Sequence, residues 1–272
     1  MSRGDVNNAA PIGVFDSGIG GLTVVREIMR QLPNESIIYF GDTARVPYGP
    51  KSPETVLRYS REITSFLLDQ GVKALVVACN TATAHALPAL KSEYDLPIVG
   101  VIEPGSRAAA KATRTNRVGV IGTQGTIKSR AYEHAIEAAS PNAEITALAC
   151  PLFVPLAEEG WLDTEATRLI AHEYLDPMAN AHIDTLVLGC THYPLLKEVI
   201  GSVVGRDVRL IDSAEETAAE SGAVLRERGI AHATTDDARY RFIASDAPEQ
   251  FLRVGQRFLG ASIDRVETVT LG

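Results

Sequence analysis

Short β-branched apolar runs alternate with helix-like stretches along almost the whole chain, and this alternation limits the fold more than any other feature. The runs fall at 11–15, 36–41, 73–79, 97–102, 117–122, 144–150, 183–189, 207–211 and 239–244. Each has strand length and none carries the helical period. Between them lie amphipathic stretches; in 53–70, Val56, Tyr59, Ile63, Phe66 and Leu67 share one helical face. This order predicts an α/β fold of mainly parallel sheets flanked by helices. A length of 272 residues suits one large or two smaller domains.

An internal echo favours two. Ile12-Gly-Val-Phe-Asp-Ser-Gly resembles Val118-Gly-Val-Ile-Gly-Thr-Gln, with Gly13 and Gly119 106 residues apart. Val46-Pro-Tyr and Val154-Pro-Leu follow at 108, Val99–Glu103 and Val208–Asp212 at 109, and Cys79 and Cys190 at 111. Any one match is weak, but four in order at nearly constant offset predict two similar lobes. The second spans 105–212; the first is 1–104 plus 213–272, the tail returning with a helix-like stretch (Ala214–Arg228) and a strand (Arg239–Ala244). With no low-complexity linker between them, the lobes form a compact pair with the active site in the cleft.

The chemistry-bearing residues cluster where strands end, which is where open α/β sheets bind ligands. Cys79 closes Lys73-Ala-Leu-Val-Val-Ala-Cys and Cys190 closes Ile183-Asp-Thr-Leu-Val-Leu-Gly-Cys. Cys79-Asn80-Thr81 opens a helix that Pro88 is expected to break, so Cys79 is either a thiol tuned by a helix N-terminus or a buried strand-end cysteine. His85 follows on that helix as a core or surface residue. In Cys190-Thr191-His192-Tyr-Pro, thiol and imidazole stand two residues apart, which suits a thiol that exchanges its proton through His192. Cys-x-His supplies at most two of zinc's four ligands, so no metal is expected. A cysteine hydrolase would leave one thiol idle. Cys150 has no polar company and reads as core. A thiol from each half predicts acid/base chemistry on both faces of one carbon.

Other candidates have two readings. In Asp16-Ser17-Gly-Ile-Gly-Gly21 the glycines either open backbone N–H groups to an anion, or form a turn capped by Asp16. The spacing is not G-x-G-x-x-G, so a dinucleotide site is not expected. The loop Gly41–Gly49 either offers the Tyr48 hydroxyl and the Gly49 N–H to a ligand or is a plain turn. One carboxylate of Glu158 and Glu159 either serves a nearby imidazole or both are solvated.

The formal net charge of −8 argues against a nucleic-acid backbone binder. No apolar run approaches the roughly 18 residues of a membrane span. The polar N-terminus lacks a secretory core, and three cysteines do not make a disulfide framework. A cytoplasmic setting with free thiols is expected.

Taken together, Asp16-Ser-Gly-Ile-Gly-Gly, Pro47-Tyr-Gly, Cys79-Asn-Thr-Ala and Gly189-Cys-Thr-His-Tyr-Pro closely resemble the glutamate racemases, over nearly the whole chain. The resemblance implies cofactor-independent racemisation of glutamate for peptidoglycan synthesis, with cell-wall biogenesis and cell shape as its context. It implies that Cys79 deprotonates D-glutamate, assisted by Asp16, and Cys190 deprotonates L-glutamate, assisted by His192 and Glu158. Asp16, Ser17, Tyr48, Gly49, Asn80, Thr81, Thr191 and His192 fall on the substrate-binding positions. The family's oligomeric state varies, so a homodimer is open. Aspartate or a hydantoin as substrate, and a non-catalytic carboxylate-binding protein, are the alternatives.

Overall fold

A computed structural model describes residues 8–234 and 238–271. The polar stretch 1–7, read above as lacking a secretory core, lies outside the described residues. The first half of the chain runs β1 (Ile12–Asp16), α1 (Leu22–Gln31), β2 (Ile37–Gly41), α2 (Pro53–Asp69), β3 (Ala74–Val77), α3 (Asn80–Glu93), β4 (Ile98–Gly100) and α4 (Ile102–Ala112). There follow β5 (Arg117–Gly122), α5 (Gln124–Ser129), α6 (Ala131–Ala139), β6 (Glu144–Ala149), α7 (Phe153–Glu159), α8 (Glu165–Asn180), β7 (Thr185–Gly189), α9 (Lys197–Val204) and β8 (Arg209–Asp212). The tail is α10 (Ser213–Glu227), β9 (Tyr240–Ala244), α11 (Pro248–Leu259) and β10 (Glu267–Thr268).

Two all-parallel sheets result. The first has the order β10-β9-β2-β1-β3-β4 and the second β6-β5-β7-β8. Within each, the strands that echo one another occupy the same places: second, first, third, fourth. The order reverses between β1 and β3 in one lobe and between β5 and β7 in the other, and crevices form at such switch points. Every residue of β1, β2, β3 and β7 is buried, as parallel strands covered by helices on both faces require. Side chains alternate across the first sheet. Val14 and Val76 face a core that continues into the second lobe through Leu186 and Val187, whereas Phe15 and Val77 face α2 and α3.

Three sequence expectations change. Helix α3 runs through Pro88 without breaking. Proline removes one internal hydrogen bond there, while buried Ala82, Ala86, Leu87 and Leu90 hold the helix on both sides of it. The Val-Pro echo is not structural: Val46-Pro47 lies in a loop and Val154-Pro155 inside α7. The tenth strand, β10, was not anticipated, since two residues at the sheet edge carry no periodic signal. Among the described residues no helix is long and apolar enough to cross a membrane.

Candidate active site

The ends of β1 and β3 deliver Asp16 and Cys79, and the end of β7 delivers Cys190. Both thiols line one cavity of about 40 Å³ between the lobes, as do Asp16, Ser17, Tyr48 and Gly49. Asn80, Thr81, Thr191 and His192 complete the sequence-derived lining. Cys79 and Cys190 are each 5% exposed, and no cysteine is in a disulfide.

On the first lobe's side, Asp16 both caps its own turn and keeps an oxygen free. Oδ2 accepts from the N–H groups of Gly18 at 3.2 Å and Gly21 at 3.0 Å. Those two N–H groups are therefore spent on Asp16, which gives the turn the cap that was one of its two readings. Oδ1 is buried with no partner among the described residues. Burial pushes the Asp16 carboxyl above its ordinary value, although the charge of His192 and the turn N–H groups pull the other way. Cys79 caps α3, accepting from Ala82 N–H at 3.4 Å, and its Sγ lies 3.7 Å from Ser17 Oγ. Burial, and after it the negative charge of Asp16, pushes this thiol up to about 12.

The second thiol meets a different neighbour. His192 Nδ1 lies 3.8 Å from Cys190 Sγ, and Nε2 is 2.9 Å from Glu158 Oε1. Burial opposes a charge on this imidazole, but the hydrogen bonds to Cys190 and Glu158 outweigh it and raise the group to about 10. Both contacts thus favour the imidazolium form of His192. Glu158 makes this contact, while Glu159 is exposed. No α-helix starts at Cys190-Thr191. A 3₁₀ turn, Tyr193–Leu196, follows instead, and α9 begins only at Lys197, so the group beside this thiol is the His192 ring and not a helix N-terminus.

Hydroxyls and amides fill the remaining wall. Tyr132 donates to Asn80 Oδ1 at 2.7 Å across the lobes, which fixes the amide and leaves the buried Asn80 Nδ2 without an acceptor. The Tyr48 hydroxyl donates to Asp42 Oδ2 at 2.5 Å, so it is not the free donor expected from the loop. Thr81 Oγ1 meets Thr123 Oγ1 at 2.9 Å and Thr126 Oγ1 at 3.3 Å. Sequence reasoning missed Thr123, and also Val46, Pro47 and Val154, which line the cavity. The signal for Thr123 was present: it follows Ser17 by 106 residues, the same spacing as Gly13 to Gly119.

Two residues that line the cavity each keep one buried polar atom without a partner, the acceptor Asp16 Oδ1 and the donor Asn80 Nδ2, and a lining of this kind suits a small zwitterion. Among the described residues no group of three or more His, Cys, Asp or Glu is placed to hold a metal ion.

Comparison with known proteins defines the class. The sequence profile of the Asp/Glu/Hydantoin racemases matches residues 12–221, and the chain belongs to that family of isomerases. Within it, the similarity is to glutamate racemases. The one from Geobacter metallireducens is 58% identical over 260 residues, covering 96% of both chains. A Bacillus anthracis glutamate racemase isoform superposes with a TM-score of 0.94 at 44% identity, over 97% of this chain and 99% of that one. The Francisella tularensis glutamate racemase, solved in complex with D-glutamate, gives 0.91 at 42% identity, over 97% and 98%.

Proposed function

We propose that this chain interconverts L- and D-glutamate by a two-base mechanism without a cofactor, supplying D-glutamate for peptidoglycan synthesis in the cytoplasm. The observation that carries the reading is two thiols on one buried cavity, each with a different ionisable neighbour. On this reading residues 105–212 are the lobe that contributes Cys190, and the described residues of 1–104 and 213–272 the lobe that contributes Cys79.

The substrate's ammonium takes up Asp16 Oδ1, and its α-carboxylate accepts from Asn80 Nδ2 and neighbouring hydroxyls. Cys190, as a thiolate paired with the His192 imidazolium, removes the α-proton of L-glutamate. The carbanion then takes the thiol proton of Cys79 on its other face, leaving D-glutamate, a Cys190 thiol and a Cys79 thiolate. The reverse reaction exchanges these roles. A thiol near 12 is a fit proton donor in this direction. In the other direction it needs an added positive charge to ionise, and the substrate's ammonium supplies one beside Asp16. Fixed donors in a site closed to water stabilise charge that develops on the α-carbon and carboxylate.

The test is incubation of metal- and pyridoxal-free protein with L-glutamate, or with L-aspartate in parallel, in heavy water. Loss of optical rotation and deuterium at the α-carbon are expected for glutamate. Cys79→Ser and Cys190→Ser should each lower turnover by about 10²–10⁴-fold, the range for loss of a positioned acid or base. Wild-type turnover in either variant would rule out the two-base mechanism; faster turnover of aspartate would reassign the substrate.

A further inference from the structure

His192 and Glu158 belong to the second lobe, yet the groups that confine them come from the tail that rejoins the first. The Phe258 ring meets the His192 ring edge-on, with centroids 5.1 Å apart and planes at 77°. Phe258 is fully buried, so the imidazole rests against a fixed surface. Its neighbour Arg257 turns to α7, the helix that carries Glu158. Arg257 Nη1 donates to Glu158 O at 2.9 Å and to Ala157 O at 3.4 Å. These carbonyls lie in the last turn of α7, where a cation is favoured; Ala157 O also accepts from the C-cap N–H of Gly160 at 3.2 Å, so the shorter bond to Glu158 O is the stronger hold. Two consecutive residues of α11 therefore hold the two partners of one hydrogen bond: one through its ring, the other through the backbone beneath its carboxylate.

We infer that the last turn of α11 positions the acid/base arm of Cys190, with Arg257 and Phe258 setting the His192–Glu158 geometry without touching the substrate. This rests on the reading of Cys190 and His192 as one arm of a two-base racemase. Glu158 is only partly buried, so its side chain has room to leave His192 once the end of α7 is released. Arg257 is itself exposed, and its removal leaves no hole in the core. Among the described residues α11 reaches the Cys79 arm through Phe251, which meets Tyr39, whose hydroxyl donates to Gly18 O in the Asp16 turn; Arg257 takes no part in that contact, so the effect of changing it falls on the Cys190 arm.

The experiment measures both directions with α-deuterated substrates. Arg257→Ala is expected to lower kcat/KM about tenfold, as loss of a supporting partner does at other sites. The primary deuterium effect should rise with L-[2-²H]glutamate, whose deuteron Cys190 removes. With D-[2-²H]glutamate it should fall, because the slowed step then delivers a solvent-derived proton. Arg257→Lys, which keeps the cation, should recover much of the rate; should Arg257→Ala not fold, Arg257→Gln carries the same isotope test. Wild-type rates, or a loss with matched isotope effects for the two enantiomers, would overturn the inference. Cys190→Ser measured alongside separates the two failures. If it is inactive while the Arg257 variants behave as wild type, only the positioning role falls; if it is active, the mechanism itself falls.

Discussion

At the scale of single residues, the two thiols differ in the charge beside them. Cys79 faces the carboxylate of Asp16, and Cys190 faces the imidazolium of His192. The Asp16 and His192 groups are themselves displaced from their ordinary ranges, as groups at functional sites often are. His192 gives a prediction with a definite sign. Its folded pKa, about 10, lies above the ordinary 6.5 of the unfolded chain. Protonation therefore favours the folded state; the contribution is complete below pH 6.5 and is lost as pH rises through about 10. Urea midpoints of the wild type and His192→Gln should differ most near pH 6 and converge toward pH 10. A difference that stays constant across this range would show that His192 is not held charged.

At the scale of elements, the strand-to-helix turn between β1 and α1 serves as a contact surface for the opposite lobe. A Cβ placed on Gly20 would overlap Thr191 Oγ1 and His192 Cε1, and would stand 2.5 Å from His192 Nδ1. Thr23, one turn on, donates to Thr191 O at 3.0 Å. The glycine is therefore needed for backbone to approach an imidazole, a partner that neither reading of this turn from the sequence, anion site or Asp16-capped turn, included. Gly20→Ala should push His192 from Cys190 and lower kcat by at least tenfold, with little change in thermal midpoint, since the strain is relieved by parting the lobes. Unchanged kcat would show that the turn yields freely. Sequence signals were strong for such elements because strand periodicity and strand-end chemistry are local. They failed at Pro88 and β10, where the outcome depends on what packs against the segment.

At the scale of the whole molecule, the cavity of about 40 Å³ has room for about three waters. A substrate of amino-acid size is therefore expected to enter as the lobes part and to be held as they close. The seam that must open includes Gly49 and Gly125. A Cβ on Gly125 would lie 2.7 Å from the Gly49 carbonyl, a backbone atom with little freedom to yield. Gly125→Ala should raise KM for both enantiomers and weaken the stabilisation that glutamate gives. For the wild type that stabilisation should reach about 2.7 kcal/mol at a ligand concentration one hundred times Kd. Thermal-shift titration checks both, and equal shifts in the two proteins would count against closure at this seam.

The sequence by itself determined the α/β class, the repeat of landmarks along the chain and the delivery of thiols to strand ends. Each follows from residue-to-residue periodicity and from glycine or hydroxyl residues adjacent in the chain. Only the tertiary structure decided which groups meet. Asn80 is oriented by Tyr132, Tyr48 is bound to Asp42, Thr81 meets Thr123, and His192 lies between Glu158 and Phe258. Most of these partners are dozens of residues apart in the chain, and no local pattern pairs them. They meet because two parallel sheets set their switch points face to face, and the tail crosses back to close the site from behind.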